Sequence, residues 1–162
     1  MKRKKASKIL IIEGSPDTSN GNLEEGFRKL FEELLKGNMP RIVMGKGKSQ
    51  AIKRFKNEKK ADFCFLLIDL DKEEKLREEE IIDLNLAKHK EWVFFMIQEV
   101  ESWFLSQPKI LDTYYKKEIS SKLHGKFPKK IKKPAELLKK LTKHTERNEY
   151  HKVKHAVDLL QL

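Results

Sequence analysis

The chain has 162 residues, enough for one domain. It is 38% charged, 38% hydrophobic and 9% aromatic, a balance that supports a folded core and excludes a wholly disordered chain. Its 36 lysines and arginines against 25 acids leave a formal charge of +11, which narrows the partners to polyanions: nucleic acid, an anionic membrane or an acidic protein surface.

In chain order, four short apolar runs rich in β-branched and aromatic residues predict strands buried on both faces: residues 8–12, 41–44, 62–70 and 92–97. Between the first two, Leu23, Phe27, Leu30, Phe31, Leu34 and Leu35 recur at helical spacing over 23–36, ended by Gly37 and Pro40. A second helix is expected over 49–59 on Ala51, Ile52 and Phe55, and a more polar third within 71–86. After Ile97 the pattern is helical only, over 100–105, 110–115, 134–141 and 151–160, with an exposed basic loop at 122–133. Strands alternating with helices imply an α/β fold with a mainly parallel four-stranded sheet. Residues 1–106 form its core, and 107–162 are a basic helical extension packed on the same domain. That extension holds 15 basic and 6 acidic side chains, a balance of +9, so the polyanion-facing surface is expected there.

The only cysteine, Cys64, permits no intrachain disulfide or cysteine-rich zinc site and reads as a buried small hydrophobe in a reducing compartment. The apolar stretch at 9–12 is too short for a signal segment, and no run reaches membrane-spanning length. A soluble cytoplasmic protein without a membrane partner is expected.

Ligands of open parallel sheets bind at the carboxyl ends of the strands. The first strand ends in Glu13, the third in Asp69-Leu70-Asp71, and the fourth runs into Gln98-Glu99-Val100-Glu101. Carboxylates gathered at one edge repel unless a divalent cation neutralises them, and hard oxygen donors select Mg²⁺ or Mn²⁺. The competing reading is that each acid caps a helix or sits in solvent. What favours a site is the coincidence of three strand ends.

Other motifs are weaker. The loop Gly14-Ser15-Pro16-Asp17-Thr18-Ser19-Asn20-Gly21 could present amides to a phosphate, or be an ordinary turn. Gly45-Lys46-Gly47-Lys48-Ser49 lacks the first glycine of a P-loop and reads as a strand-to-helix turn that places Lys46 and Lys48 near a phosphate path. His151 and His155 are four apart, but the glutamate of a metalloprotease helix is missing. Trp92, Phe94, Phe95, Trp103 and Phe104 are expected in the core.

The acid after strand one, the later D-x-D and the βα alternation together resemble the Toprim fold of topoisomerases, bacterial primases and overcoming-lysogenization-defect nucleases. More narrowly, the chain looks like the Toprim-related domain of unknown function 4276, found in bacterial defence islands. The likeness is carried by Ile11-Ile12-Glu13-Gly14, Met39 to Gly45 with 51–55 after it, Leu67-Ile68-Asp69-Leu70-Asp71, the run from Phe95 to Leu105, and Tyr150-His151-Lys152-Val153-Lys154-His155-Ala156. Two positions depart from the family pattern: Ser106-Gln107 stands where an aspartate is common, and Asp69-Leu70-Asp71 where Asp-Ser-Glu is frequent.

The resemblance implies metal-dependent phosphodiester chemistry. Glu13 would act as general acid or base or help hold metal, Asp69 and Asp71 would hold Mg²⁺ (or Mn²⁺), and Glu101 would ligate or support. Lys46, Lys48, Lys129, Lys130, Lys152 and Lys154 would meet phosphates of RNA or DNA. It also implies an ATPase partner of the ABC or overcoming-lysogenization-defect type, and leaves a homo-oligomer open. The leading expectation is a nuclease of anti-phage defence; the alternative is a non-catalytic nucleic-acid-binding or regulatory subunit of an ATPase complex. A phosphoacceptor receiver domain fits poorly, because it needs an acidic pair after strand one.

Overall fold

A computed structural model of the chain describes residues 6–16, 18, 19 and 21–162. Four strands, β1 (Lys8–Ile12), β2 (Arg41–Met44), β3 (Phe63–Asp69) and β4 (Val93–Met96), pair in the order β2-β1-β3-β4, all parallel. The helices are α1 (Leu23–Leu35), α2 (Lys48–Asn57), α3 (Arg77–Asp83), α4 (Glu101–Leu105), α5 (Pro108–Tyr115), α6 (Ser120–Leu123), α7 (Pro134–Thr142) and α8 (Lys154–Leu159). This is an α/β fold, compatible with a Toprim-like or Rossmann-like arrangement.

Side chains alternate across a strand, so each strand feeds two cores. Leu10, Ile12, Ile42, Met44, Leu67 and Met96 face α1 and the C-terminal helices, while Ile9, Ile11, Val43, Leu66, Ile68 and Val93 face α2 and the segment from α3 to Leu86. Phe27 of α1, 1% exposed, anchors the first layer; burying a side chain of this size contributes about 1.5–3 kcal/mol. Asn22 starts α1 by accepting the Glu25 amide at 3.1 Å, and Lys36, at φ +40°, ends it in a left-handed turn.

The C-terminal helices share the first core, which includes Phe104, Leu111, Tyr115, Leu138, Tyr150 and Leu160. Helix α8 lies on α1 at Gly26, where an added Cβ would sit 3.2 Å from Leu160 Cδ1 and 3.3 Å from Val157 Cα. The contact is therefore possible only against a bare backbone. Residues 107–162 in this way extend the same hydrophobic core.

Two features correct the sequence reading. The sheet is not buried throughout: Phe63 is 40% exposed, Trp92 38% and Phe94 49%. Among the described residues the edge strand β4 pairs on one side only, and cover is incomplete between α1 and Trp103, leaving an apolar cavity of about 790 Å³ beside Phe31 and Phe65. Cys64 is likewise only half-buried, with burial pushing its thiol up to about 11. Second, the basic loop contains structure. Asp112 Oδ1 accepts the amides of Ile119 (2.5 Å) and Ser120 (2.8 Å) and so starts the short α6, and a 3₁₀ turn follows at Pro128–Lys130. A cap donated from eight residues upstream leaves no periodic trace in a four-residue helix. Among the described residues no helix is long and apolar enough to cross a membrane.

Candidate active site

The loops leaving β1 and β3 turn to opposite faces of the sheet, the first to α1 and the second to α3, whose Phe27 and Ile81 belong to the two different cores. Adjacent parallel strands whose connections diverge open a crevice at their carboxyl ends. Glu13 and Asp69 stand there. Glu13 Oε2 accepts the Asp69 amide at 3.0 Å, and Asp69 Oδ1 accepts the Val100 amide at 3.2 Å. Ladder bonds beyond the strands fix these ends: Glu13 N to Leu67 O at 2.8 Å, Leu70 N to Met96 O at 2.9 Å, and Asp71 N to Gln98 O at 2.7 Å.

The pair is electrostatically loaded. Asp69 is 7% exposed, and burial followed by the Glu13 carboxylate pushes its pKa up to about 8. Burial also raises Glu13, against the opposing pull of the Asp69 amide and Lys48. The cavity in front of them is about 620 Å³, with an apolar floor of Phe27, Met96 and Val100 and a wall holding Lys46, Gly47 and Lys152. Lys152 has no ion pair within 4.0 Å among the described residues. Even so, Glu101, Asp69, Glu99 and Glu13 outweigh burial and raise its pKa. Gly14 sits tightly at this rim: at φ +151° an added Cβ would lie 2.5 Å from Met44 Cε. Glycine is favoured there by the backbone angle, since the end of the Met44 side chain could move aside.

The other expected site residues are distributed differently. Asp71, at φ +57°, is more than half exposed and ion-paired to Lys48, yet it stays close enough for its charge to help raise both Glu13 and Asp69. Glu101 is fully buried below the cavity; its Oε1 accepts the Tyr150 hydroxyl at 2.9 Å and its Oε2 has no partner among the described residues. Burial raises its pKa, opposed by Lys152. Glu99 accepts the Ala135 amide at 3.1 Å and caps α7, which is the structural role that sequence left open. Lys129 pairs with Glu74 at 3.1 Å outside the cavity, beside Lys130. Lys154 begins α8 next to Gly21 and does not line the cavity.

The expected four-carboxylate metal set is therefore not gathered: among the described residues no group of three or more His, Cys, Asp or Glu side chains is placed to hold a metal ion. The donors present fit a smaller demand. Mg²⁺ keeps several waters and takes one or two protein carboxylates, and Glu13 with Asp69 supplies two hard donors whose shared charge lacks a direct counterion. The histidines do not form a metal pair. His151 Nδ1 accepts the amides of Val153 and Lys154, capping α8. His155 Nδ1 accepts the His151 amide at 3.2 Å and lies 3.1 Å from the Tyr115 hydroxyl, with burial lowering its pKa.

Gly45-Lys46-Gly47-Lys48 is a strand-to-helix turn, as read: a Cβ on Gly45 would lie 2.4 Å from Ala51 Cβ, so α2 starts hard against the end of β2. In the Gly14 to Gly21 loop, Asp17 and Asn20 fall outside the described residues. Sequence reasoning gave no role to Tyr150 or to the Val100 amide. Tyr150 could have been suspected from its place two residues before Lys152; a backbone donor has no sequence signal.

Comparison with known families finds one match: the model described as "Domain of unknown function (DUF4276)" covers residues 12–162. No curated protein and no solved structure matches the chain.

Proposed function

The chain belongs to the DUF4276 family, and from that premise we propose that it is a Toprim-type, divalent-metal-dependent nuclease or related phosphodiester enzyme acting in bacterial anti-phage defence. One observation carries this reading: a carboxylate pair, buried Asp69 and half-buried Glu13, at a topological switch point, facing Lys46 and Lys152 across an open cavity. Glu13 and Asp69 would hold Mg²⁺ or Mn²⁺, which when bound neutralises the growing phosphate charge and lowers the pKa of a bound water. Lys46 and Lys152 would orient phosphate oxygens, and Glu101 with Tyr150 would seat the loop that carries Lys152. Lys48 holds Asp71 and gives Asp71 a supporting role outside the pair. The +9 balance of residues 107–162 supplies affinity for the nucleic-acid backbone without reading sequence. A cytoplasmic location and an ATPase partner belong to the same proposal.

The test is cleavage of labelled RNA and DNA in Mg²⁺, Mn²⁺ or EDTA by wild type, Glu13→Ala and Asp69→Asn. Cleavage that needs both metal and the two acids supports the enzyme. A second reading, a non-catalytic nucleic-acid-binding subunit, is favoured by the engagement of Asp71 with Lys48 and of Glu101 with Tyr150. It predicts binding in all three proteins and cleavage in none.

A further inference from the structure

The segment 97–102 that closes the candidate site on one side also walls a second cavity on its other side. Val100 lines the first; Ile97, Ser102 and Trp103 line the second, which is about 600 Å³. Its outer lip is the turn after α6, where Phe127 is 68% exposed. The Lys130 ammonium lies 5.3 Å above the Phe127 ring, and Lys129 lies beside it. Residues 126–133 carry five lysines and no acid. An exposed aromatic face among lysines is the makeup of surfaces that stack bases and track phosphates. At the inner end, Ser102 is 4% exposed and its hydroxyl has no hydrogen-bond partner among the described residues. A buried, unpartnered hydroxyl at the end of an aromatic-lipped cavity is suited to the polar edge of a planar ligand. The nearest acids, Glu73 and Glu74, are already neutralised by Lys75 (3.0 Å) and Lys129 (3.1 Å). A phosphate could replace Glu74 on Lys129, since both side chains of that pair are well exposed.

We propose that this second cavity is a nucleobase subsite for single-stranded nucleic acid: Phe127 stacks an unpaired base flanking the one at the Glu13–Asp69 pair, Lys129 and Lys130 hold its phosphates, and Ser102 meets its polar edge. The inference rests on the nucleic-acid reading above and names the strand form that it takes. Double-stranded substrates keep their bases stacked and would not reach Phe127.

The experiment measures binding in EDTA, where cleavage is silent, by anisotropy of labelled single-stranded RNA and DNA oligonucleotides and by fluorescence of the same oligonucleotides carrying 2-aminopurine. Wild type is expected to prefer single over double strands and to quench 2-aminopurine. Phe127→Leu is expected to weaken binding on the order of tenfold and to abolish the quenching, with Phe127→Trp restoring both. The slope of affinity against salt stays unchanged in Phe127→Leu and falls by about one in Lys129→Ala. Phe127 is exposed, so an unchanged melting temperature confirms that the variants are folded. Comparing the RNA and DNA arms identifies the sugar; a preference for either is consistent with the subsite. Binding by wild type that Phe127→Leu leaves untouched overturns the subsite while the nuclease reading stands. Loss of stacking in Phe127→Leu, without cleavage by wild type in any metal, upholds the subsite and overturns the nuclease. Absence of binding to both nucleic acids in EDTA overturns the subsite, and the cleavage assay with metal decides the nuclease reading separately.

Discussion

Asp69 and Asp71 are two residues apart and occupy opposite electrostatic surroundings. Asp69 ends β3 with its side chain buried, and its nearest charged neighbour is another carboxylate, Glu13. Asp71 lies in the turn beyond, paired with Lys48 in a chain of alternating charges that continues through Glu80, Lys72 and Asp83. The second region gives each of its three acids a lysine within 4.0 Å. Among the described residues the first has no lysine ion-paired to it, with Lys152 near but not bonded, so Asp69 holds a proton near neutrality and this is the place where an added cation would replace it. A D-x-D motif read as two equivalent ligands thus separates into one residue that needs a partner and one that already has it.

That contrast is most sharply tested by activity. Asp69→Asn is expected to lower metal-dependent cleavage at least about a hundredfold, and Asp71→Asn by less than about tenfold, measured as kcat/KM under equal Mg²⁺. Equal losses would mean that Asp71 leaves Lys48 and joins the pair in the working enzyme. The next effect is on stability. An acid whose folded pKa is raised binds more protons in the folded than in the unfolded state, so metal-free stability falls as pH rises from the ordinary carboxylate range toward about 8. Melting temperature without metal is therefore expected to drop by several degrees across that window. Added Mg²⁺ should flatten the drop and raise the value near neutrality, because metal displaces the shared proton. Asp69→Asn should reduce the slope to what the raised Glu13 and Glu101 leave and abolish the Mg²⁺ response; Asp71→Asn should keep both.

Tyr150→Phe probes the floor of the loaded region. Removing the hydroxyl takes from the buried Glu101 carboxylate its one side-chain donor among the described residues, a loss of about 1–3 kcal/mol in chemical denaturation. Glu101→Gln in the same background should recover part of it, since a neutral amide tolerates burial better than a carboxylate. No recovery would place the cost in Tyr150 packing against Phe104 and His155 instead.

How legible each region was follows from the kind of signal it leaves. Strands and the α1 face were readable because side-chain periodicity is local: β1 and β2 match their expected bounds, and Leu23 starts α1 as read. Glu13 and Asp69 were readable because an acid directly after a buried strand must sit at the sheet's carboxyl edge. What was not readable depends on direction and distance. The left-handed backbone at Asp71 turns its side chain toward Lys48, and no spacing rule encodes that rotation. Glu101 is placed by Tyr150, 49 residues away, and Glu99 by the start of α7. The exposure of Trp92 and Phe94 reflects a missing neighbour at the sheet edge, which composition alone cannot reveal.

The smallest effect gives the contrast its lower bound. The Lys48–Asp71 pair is partly solvent-exposed, with Lys48 about one-fifth and Asp71 about half accessible. An ion pair of this kind contributes at most about 1 kcal/mol and less at high salt. A double-mutant cycle on Lys48→Met and Asp71→Asn, read by urea denaturation at low and high salt, should therefore give a coupling below about 1 kcal/mol that shrinks with salt. The Glu80 carboxylate, which faces Lys48 at 4.0 Å and Lys72 at 2.6 Å, keeps the remaining charges compensated when Asp71 is lost. A larger, salt-insensitive coupling would mean that the pair is effectively buried and that its neutrality is a structural requirement of the β3 turn. Asp71 would then be held too firmly to move toward Glu13, and the division between the loaded and the ion-paired region would be fixed by the fold.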